Sequence, residues 1–220
     1  MGGSHIKRTL VWSGRMRLAH WLLALSVGVL IATGWLVKLA PGVANAASDY
    51  HRLAGIGLIL GLLLRVWLLL TGKGPAHWKA LVPQRDDLQK MGQTLVFYAT
   101  MGKSPQPKWY AHNPLWAPVY LFVLLVLVVQ TLTGLLMEAY PVMGTFYLPS
   151  VHDFWAPFIL VFAVLHIFTV ALHDAKGTAS DVSAMLNGHR IFVVEETDPL
   201  QAPGEHTVSL DQLKKPRKTL

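Results

Sequence analysis

The chain has 220 residues, of which 53% are hydrophobic and 14% charged, with a formal net charge of +7 and no cysteine. Apolar runs of about 20 residues dominate it, the profile of an integral membrane protein with no room for a soluble domain of useful size. The missing cysteine excludes disulfides, iron–sulfur clusters, thiolate zinc and covalently attached c-type haem, so any redox cofactor has to be held by histidine. The basic residues fall between the apolar spans, where membrane topology explains them and no nucleic-acid partner is needed.

The first stretch, MGGSHIKRTLVWSG, has basic residues but no small-residue cleavage site at the right distance, and reads as a cytoplasmic tail, not a removed signal peptide. Span one covers about 18–37, with His20 near its start and Arg17 one turn earlier. After a short connection, KLAPGVANAASDY, span two covers about 51–71, with His51 at its entry and Arg65 deep inside it. A polar stretch from Gly72 to Asn113 follows, in which Gln84 to Thr100 has the pattern of a surface helix and Lys103 to His112 that of a loop. Span three covers about 115–137, with Gln130 its one strongly polar side chain. His112-Asn113-Pro114 opens it, and Asn113 is placed to cap the helix. The connection Glu138 to Ser150 is short and rich in Pro and Gly. Span four covers about 152–174, and a polar tail follows, flexible over 195–220. Trp12, Trp21, Trp35, Trp109, Trp116 and Trp155 lie near span ends and read as an aromatic belt.

Lysines and arginines orient the spans. Lys7, Arg8, Arg15 and Arg17 precede span one; Lys73, Lys79, Arg85, Lys90, Lys103 and Lys108 lie between spans two and three; Lys176, Arg190, Lys214, Lys215, Arg217 and Lys218 follow span four. Lys38 alone lies in the other two connections. That asymmetry puts both termini in the cytoplasm of a bacterial inner-membrane protein.

Orientation gives each histidine a depth. His152 and His166 are fourteen residues apart, which returns them to within about 40° of one helix face and separates them by about 21 Å along the axis. His152 then matches His51 in depth near the outer side, and His166 matches His20 toward the cytoplasm. Ionisable side chains inside a span are costly and mark sites, and imidazole is the usual protein ligand for haem iron. Each pair can clamp one haem b between two helices, with both axial positions filled, a site for one-electron transfer and not for oxygen binding. The same fourteen-residue step puts Arg65 on the face of His51 at cytoplasmic depth, where it could meet a haem propionate or a quinone oxygen. It also puts Gly34 on the face of His20 at outer depth, where, like Gly134, it leaves room for a porphyrin. His173, one heptad beyond His166, shares its face and is a candidate neighbour of the inner haem or a quinone, and His112 and Asn113 are candidates to reach a quinone head.

The chain resembles the cytochrome b subunit of membrane-bound nickel-iron hydrogenases, within a group that includes the gamma subunit of formate dehydrogenase and stand-alone four-helix di-haem cytochromes. The similar stretches are RLAHW with ATGW, YHRLAG through LLLRVW, HNPL with the later LTG, the two histidines of span four and SAMLNGHR, over residues 10 to 192. The resemblance implies an all-α integral membrane protein, a four-helix transmembrane bundle over 1–194 with two haems b stacked across the bilayer. Such a chain carries electrons between a periplasmic redox enzyme and menaquinone or ubiquinone, as one subunit of an oxidoreductase complex in which a dimer is one open arrangement. His20, His51, His152 and His166 would be the axial ligands. The connection Glu138 to Ser150 is shorter than hydrogenase cytochromes tend to have, so a periplasmic molybdenum enzyme, a c-type cytochrome or stand-alone quinol or superoxide oxidoreductase activity stay open beside hydrogenase. A transporter would need substrate-binding breaks in its helices, and a plain membrane anchor would not need paired histidines.

Overall fold

A computed structural model of the chain describes residues 4–176 and 181–195. In chain order the elements are β1 (Ser4–Leu10), α1 (Gly14–Leu39), α2 (Ala44–Thr71), α3 (Asp87–Ala99), α4 (Trp116–Leu136), the hairpin β2 (Val142–Met143) and β3 (Phe146–Tyr147), α5 (Leu148–Lys176), α6 (Asp181–Asn187) and β4 (His189–Glu195). The helices α1, α2, α4 and α5 are long and apolar enough to cross a membrane. Their outward faces leave Leu25, Leu60, Leu125 and Val164 more than half exposed, as helices solvated by lipid require; their backbone polar groups are spent internally.

Apolar burial alone does not hold helices together in lipid, where close packing of small residues does more. In α2 the sequence GLILG spaces Gly57 and Gly61 one turn apart against α1. A Cβ on Gly57 would come within 2.6 Å of the Ser26 hydroxyl, and one on Gly61 within 3.1 Å of the Leu23 backbone nitrogen. These two positions therefore set how near α1 and α2 approach. On the other side, Leu58 and Leu62 of α2 pack with Val123, Val126 and Leu127 of α4 and Ile159 of α5 into the central core.

The two ends of the bundle differ. One, the hairpin end, carries β2–β3, whose turn needs Gly144 at φ +60°. The other, the sheet end, is covered by an antiparallel pair in which Ser4 faces Glu195 and Leu10 faces His189. Gly188 (φ +88°) joins α6 to this sheet, and its carbonyl accepts from the backbone N–H of Val11 and Trp12. A Cβ there would meet the Trp12 carbonyl at 2.6 Å, so no other residue fits. Beside it α3 buries Thr94 and Phe97 completely.

The helical membrane architecture agrees with expectation; its edges do not all agree. α2 begins seven residues before His51, because Pro41–Val43 forms a 3-10 turn and the small residues from Ala44 onward continue as helix. His51 is thus two turns inside the helix and not at its entry, and the connection KLAPGVANAASDY is largely helical. The tails are not plain coil either: Lys176 ends α5, and the segment beyond it supplies α6 and β4. The expected flexible tail lies outside the described residues apart from Glu195. Trp12 and Trp109 are buried, packed in the sheet end and not set in an interfacial belt.

Candidate haem-binding site

Three of the transmembrane helices, α1, α2 and α5, bring the four histidines together as two couples. His51 of α2 and His152 of α5 face each other at the hairpin end with ring centres 6.2 Å apart. His20 of α1 and His166 of α5 do the same toward the sheet end at 6.3 Å. An imidazole nitrogen lies about 2 Å from a metal it binds and about 1 Å from its own ring centre, so two imidazoles across one metal ion have centres about 6 Å apart. Both couples have that spacing.

At the hairpin end the second layer of contacts is symmetric. Thr33 of α1 lies 2.9 Å through Oγ1 from His51 Nδ1, and Thr133 of α4 lies 3.0 Å from His152 Nδ1. Each hydroxyl also donates to the carbonyl four residues back, Val29 at 2.7 Å and Val129 at 2.8 Å. A threonine has one proton to give, so toward histidine it is an acceptor. Facing acceptors only, Nδ1 carries the hydrogen in both rings and Nε2 keeps its lone pair for a metal. The glycine after each threonine abuts the same ring: a Cβ on Gly34 would lie 3.6 Å from His51 Cε1, and one on Gly134 3.2 Å from His152 Cε1. The glycines expected to clear space for a porphyrin thus also clear space for the histidines.

A cavity of about 520 Å³ opens here, within the range of cofactor sites. His51, His152, Gly34, Gly134 and Pro157 line it, Val27, Leu58 and Leu127 lie deeper, and Lys38, Arg52, Glu138 and Asp153 stand at its rim. Lys38 Nζ meets Asp153 at 2.6 Å, and Arg52 reaches Glu138 at 3.8 Å. An apolar slot between two imidazoles, bordered by cations, suits a flat apolar macrocycle with carboxylate arms. The residues fit haem b.

Around His166 the environment is aromatic instead. Phe162 stacks on its ring at 5.6 Å and 11°, with Tyr120 at 5.7 Å and Trp116 at 6.3 Å. Its Nδ1 is buried and has no hydrogen-bond partner among the described residues. His112 lies one ring away, its ring centre 6.1 Å from Tyr120 and 4.9 Å from Trp12. Burial pushes the His112 imidazole down to about 3, and the charge of Arg65 adds to the push. Its Nδ1, too, is buried without a hydrogen-bond partner among the described residues. Arg65, expected near a propionate or quinone, is buried and donates to the Ala76 carbonyl at 3.0 Å. Arg17 donates to the Leu186 carbonyl, tying α1 to α6.

His173 and Asn113 meet in a network that sequence reasoning missed. Asn113 Nδ2 and Trp116 Nε1 donate to the Tyr98 hydroxyl at 3.0 and 2.8 Å. Tyr98 donates in turn to His173 Nε2 at 2.9 Å. His173 Nδ1 lies 3.3 Å from Asp181, and Arg190 closes the chain on Asp181 at 2.8 Å. With both ring nitrogens spent on protein partners, His173 has none for iron. Asn113 Oδ1 accepts from Leu115 N at 3.0 Å, so it also turns the chain into α4. Burial pushes the Tyr98 hydroxyl up to about 12, against the bonds from Trp116 and Asn113.

The family model for prokaryotic cytochrome b561 matches residues 11–188, which include all four paired histidines. The chain belongs to this family. It is therefore a b-type cytochrome, a membrane haem protein that carries electrons. Among its relatives, a protein of Cupriavidus necator named as a probable Ni/Fe-hydrogenase B-type cytochrome subunit is 28% identical, over 86% of this chain and 90% of that protein. A protein of the same name from Azotobacter chroococcum is 27% identical over the same shares. In Escherichia coli K12 a probable Ni/Fe-hydrogenase 1 B-type cytochrome subunit is 23% identical, over 82% of this chain and 89% of that protein. The resemblance seen in the sequence to hydrogenase cytochromes therefore holds. No solved structure matches the chain.

Proposed function

We propose that this cytochrome conducts electrons across a bacterial inner membrane through two haems b, between a periplasmic redox enzyme at the hairpin end and a quinone at the sheet end. The observation that carries this is the recurrence of one iron-bridging histidine spacing, 6.2 and 6.3 Å, at two depths of the bundle. His51 and His152 hold one haem, and His20 and His166 the other. Held between two such imidazoles, a haem would supply reversible one-electron exchange.

The chain's own residues divide the remaining work. Thr33 and Thr133 keep the hydrogen on Nδ1 and aim Nε2 at the iron, and Lys38 and Arg52 supply positive charge for haem carboxylates. Gly34 and Gly134 admit ring and porphyrin edges. At the sheet end His112 lies one aromatic ring from His166, with the charge of Arg65 acting on it, and these two side chains offer hydrogen bonds to a quinone oxygen. Two electrons, delivered singly, and two protons convert quinone to quinol. The basic segments at the sheet end support a cytoplasmic placement of that end, and with a hydrogenase as donor at the hairpin end electrons would run inward and protons be taken up from the cytoplasm. The names of the relatives support nickel-iron hydrogenase as the partner.

Reduced-minus-oxidised spectroscopy of the purified chain tests the core of the reading. Two low-spin b-type haems per chain are expected; His152→Ala should lose the hairpin-end haem and His166→Ala the sheet-end haem. Retention of two haems by either variant overturns the pairing. Co-purification from native membranes should bring down a periplasmic hydrogenase.

A further inference from the structure

The two histidine couples share a spacing but not a hydrogen-bonding environment. At the hairpin end each Nδ1 meets a threonine oxygen, at 2.9 Å for His51 and 3.0 Å for His152. Both threonines stand directly before a glycine, on two different helices, and both are held by the same bond to the carbonyl four residues back. The hydroxyl is thereby fixed as an acceptor. At the sheet end the Nδ1 of His166 is buried without a partner among the described residues, in a cage of Phe162, Tyr120 and Trp116.

An acceptor on Nδ1–H draws the hydrogen away from the ring and leaves more electron density on Nε2. A metal bound there sees a more basic ligand, and such a ligand favours the more highly charged ferric ion. Hydrogen bonding to axial ligands is among the levers by which proteins set haem potentials. A ring with an unpartnered N–H is the weaker donor, and an apolar cage around it favours the less charged ferrous state.

We propose that Thr33 and Thr133 hold the hairpin-end haem at a lower midpoint potential than the sheet-end haem, and so bias the bundle toward electron flow from hairpin end to sheet end. The proposal rests on the reading that each histidine couple holds a haem. In the step so favoured, one electron leaves the ferrous iron between His51 and His152, which becomes ferric. The ferric iron between His20 and His166 becomes ferrous, and no proton or covalent bond changes hands. Thr33 and Thr133 touch neither iron; they act through the imidazoles as positioning residues.

Potentiometric titration of the purified, haem-loaded chain, followed in the visible α-band and by low-temperature EPR, decides this. Wild type should titrate in two one-electron components, and the component that disappears in His152→Ala should be the lower. Thr33→Val and Thr133→Val, which keep side-chain shape and remove the acceptor, should each move the lower component to a more positive potential, and together move it further. They should leave the higher component in place, while Thr33→Ser and Thr133→Ser stay with wild type. The proposal is overturned if the component lost with His152→Ala is the higher one, a result that needs no threonine variant to fold. It is equally overturned if the valine variants hold both haems and neither midpoint moves. A wild-type chain with fewer than two haems would instead sink the functional reading, and the two failures are thereby distinct.

Discussion

Replacing Asp181 by alanine tests the network at the sheet end. The carboxylate joins Arg190 at 2.8 Å and His173 at 3.3 Å, and the Arg190 side chain is only 4% exposed. After Asp181→Ala the guanidinium keeps the Trp109, Tyr110 and Ala111 carbonyls at 3.0–3.3 Å, but its charge is unopposed in a buried place. Removing one partner of a buried ion pair costs about 3–5 kcal/mol. Asp181 itself is 18% exposed, so water already screens part of the pair and the low end, about 3 kcal/mol, is expected. Asp181→Asn keeps two hydrogen-bonding positions and should lose less. The double variant Asp181→Leu/Arg190→Met removes both charges and should recover much of the loss, because a buried pair exchanged for apolar groups is close to neutral. Equilibrium unfolding in mixed detergent micelles, followed by circular dichroism, gives these differences. A loss below about 0.5 kcal/mol for Asp181→Ala, or a double variant worse than the single, would refute the reasoning.

Three other outcomes follow from the geometry. Gly134→Ala puts a methyl 3.2 Å from the His152 ring and should reduce hairpin-end haem content, while Gly34→Ala, at an ordinary 3.6 Å from His51, should retain it; quantitative haem extraction separates them. Arg52→Gln should weaken retention of the hairpin-end haem against a haem-scavenging apoprotein, since Arg52 borders the cavity and its contact to Glu138 is a loose 3.8 Å. His112 is held down to about 3 from an ordinary 6.5. Above pH 6.5 neither state carries that proton; below it the unfolded chain binds a proton that the folded chain refuses until about pH 3. Stability should therefore fall as pH is lowered through that window, and His112→Asn should flatten the fall in acid titrations followed by fluorescence.

The membrane helices were legible because their signal is long-range composition, and the histidine couples because a helix converts spacing into direction and depth. His152 and His166 needed nothing more. Helix ends were less legible. The connection before Tyr50 looked like loop because it holds Pro41, Gly42 and several polar residues, yet small residues tolerate a helix and the packing of α2 on α1 extends it. The sheet was not legible at all: β1 and β4 lie at opposite ends of the sequence, and neither strand by itself buries enough to announce itself. The Asp181–Arg190 and Tyr98–His173 links depend on that same closure. His173 shares a face with His166, but a shared face says nothing of which other element fills the space in front of it, and here α3 fills it with Tyr98.

The most informative illegible feature is the Thr-Gly step at positions 33–34 and 133–134. Its two halves stand on different helices, each opposite a histidine on a third or fourth helix, so no periodicity within one span exposes them. Yet the physical demand is readable once histidine is taken as a metal ligand: the nitrogen that does not bind metal needs an acceptor. Inside an apolar helix a threonine is a tolerated source, because its own hydroxyl hydrogen is absorbed by the backbone four residues back. Next to it a residue without a side chain lets the ring approach, tightly so at Gly134, where a Cβ would lie 3.2 Å from His152, and with room to spare at Gly34, at 3.6 Å from His51. Thr33 with Gly34, and Thr133 with Gly134, meet both demands at 2.9 and 3.0 Å. Thr-Gly at the depth of a paired histidine, more than glycine alone, therefore marks which imidazole nitrogen carries the hydrogen.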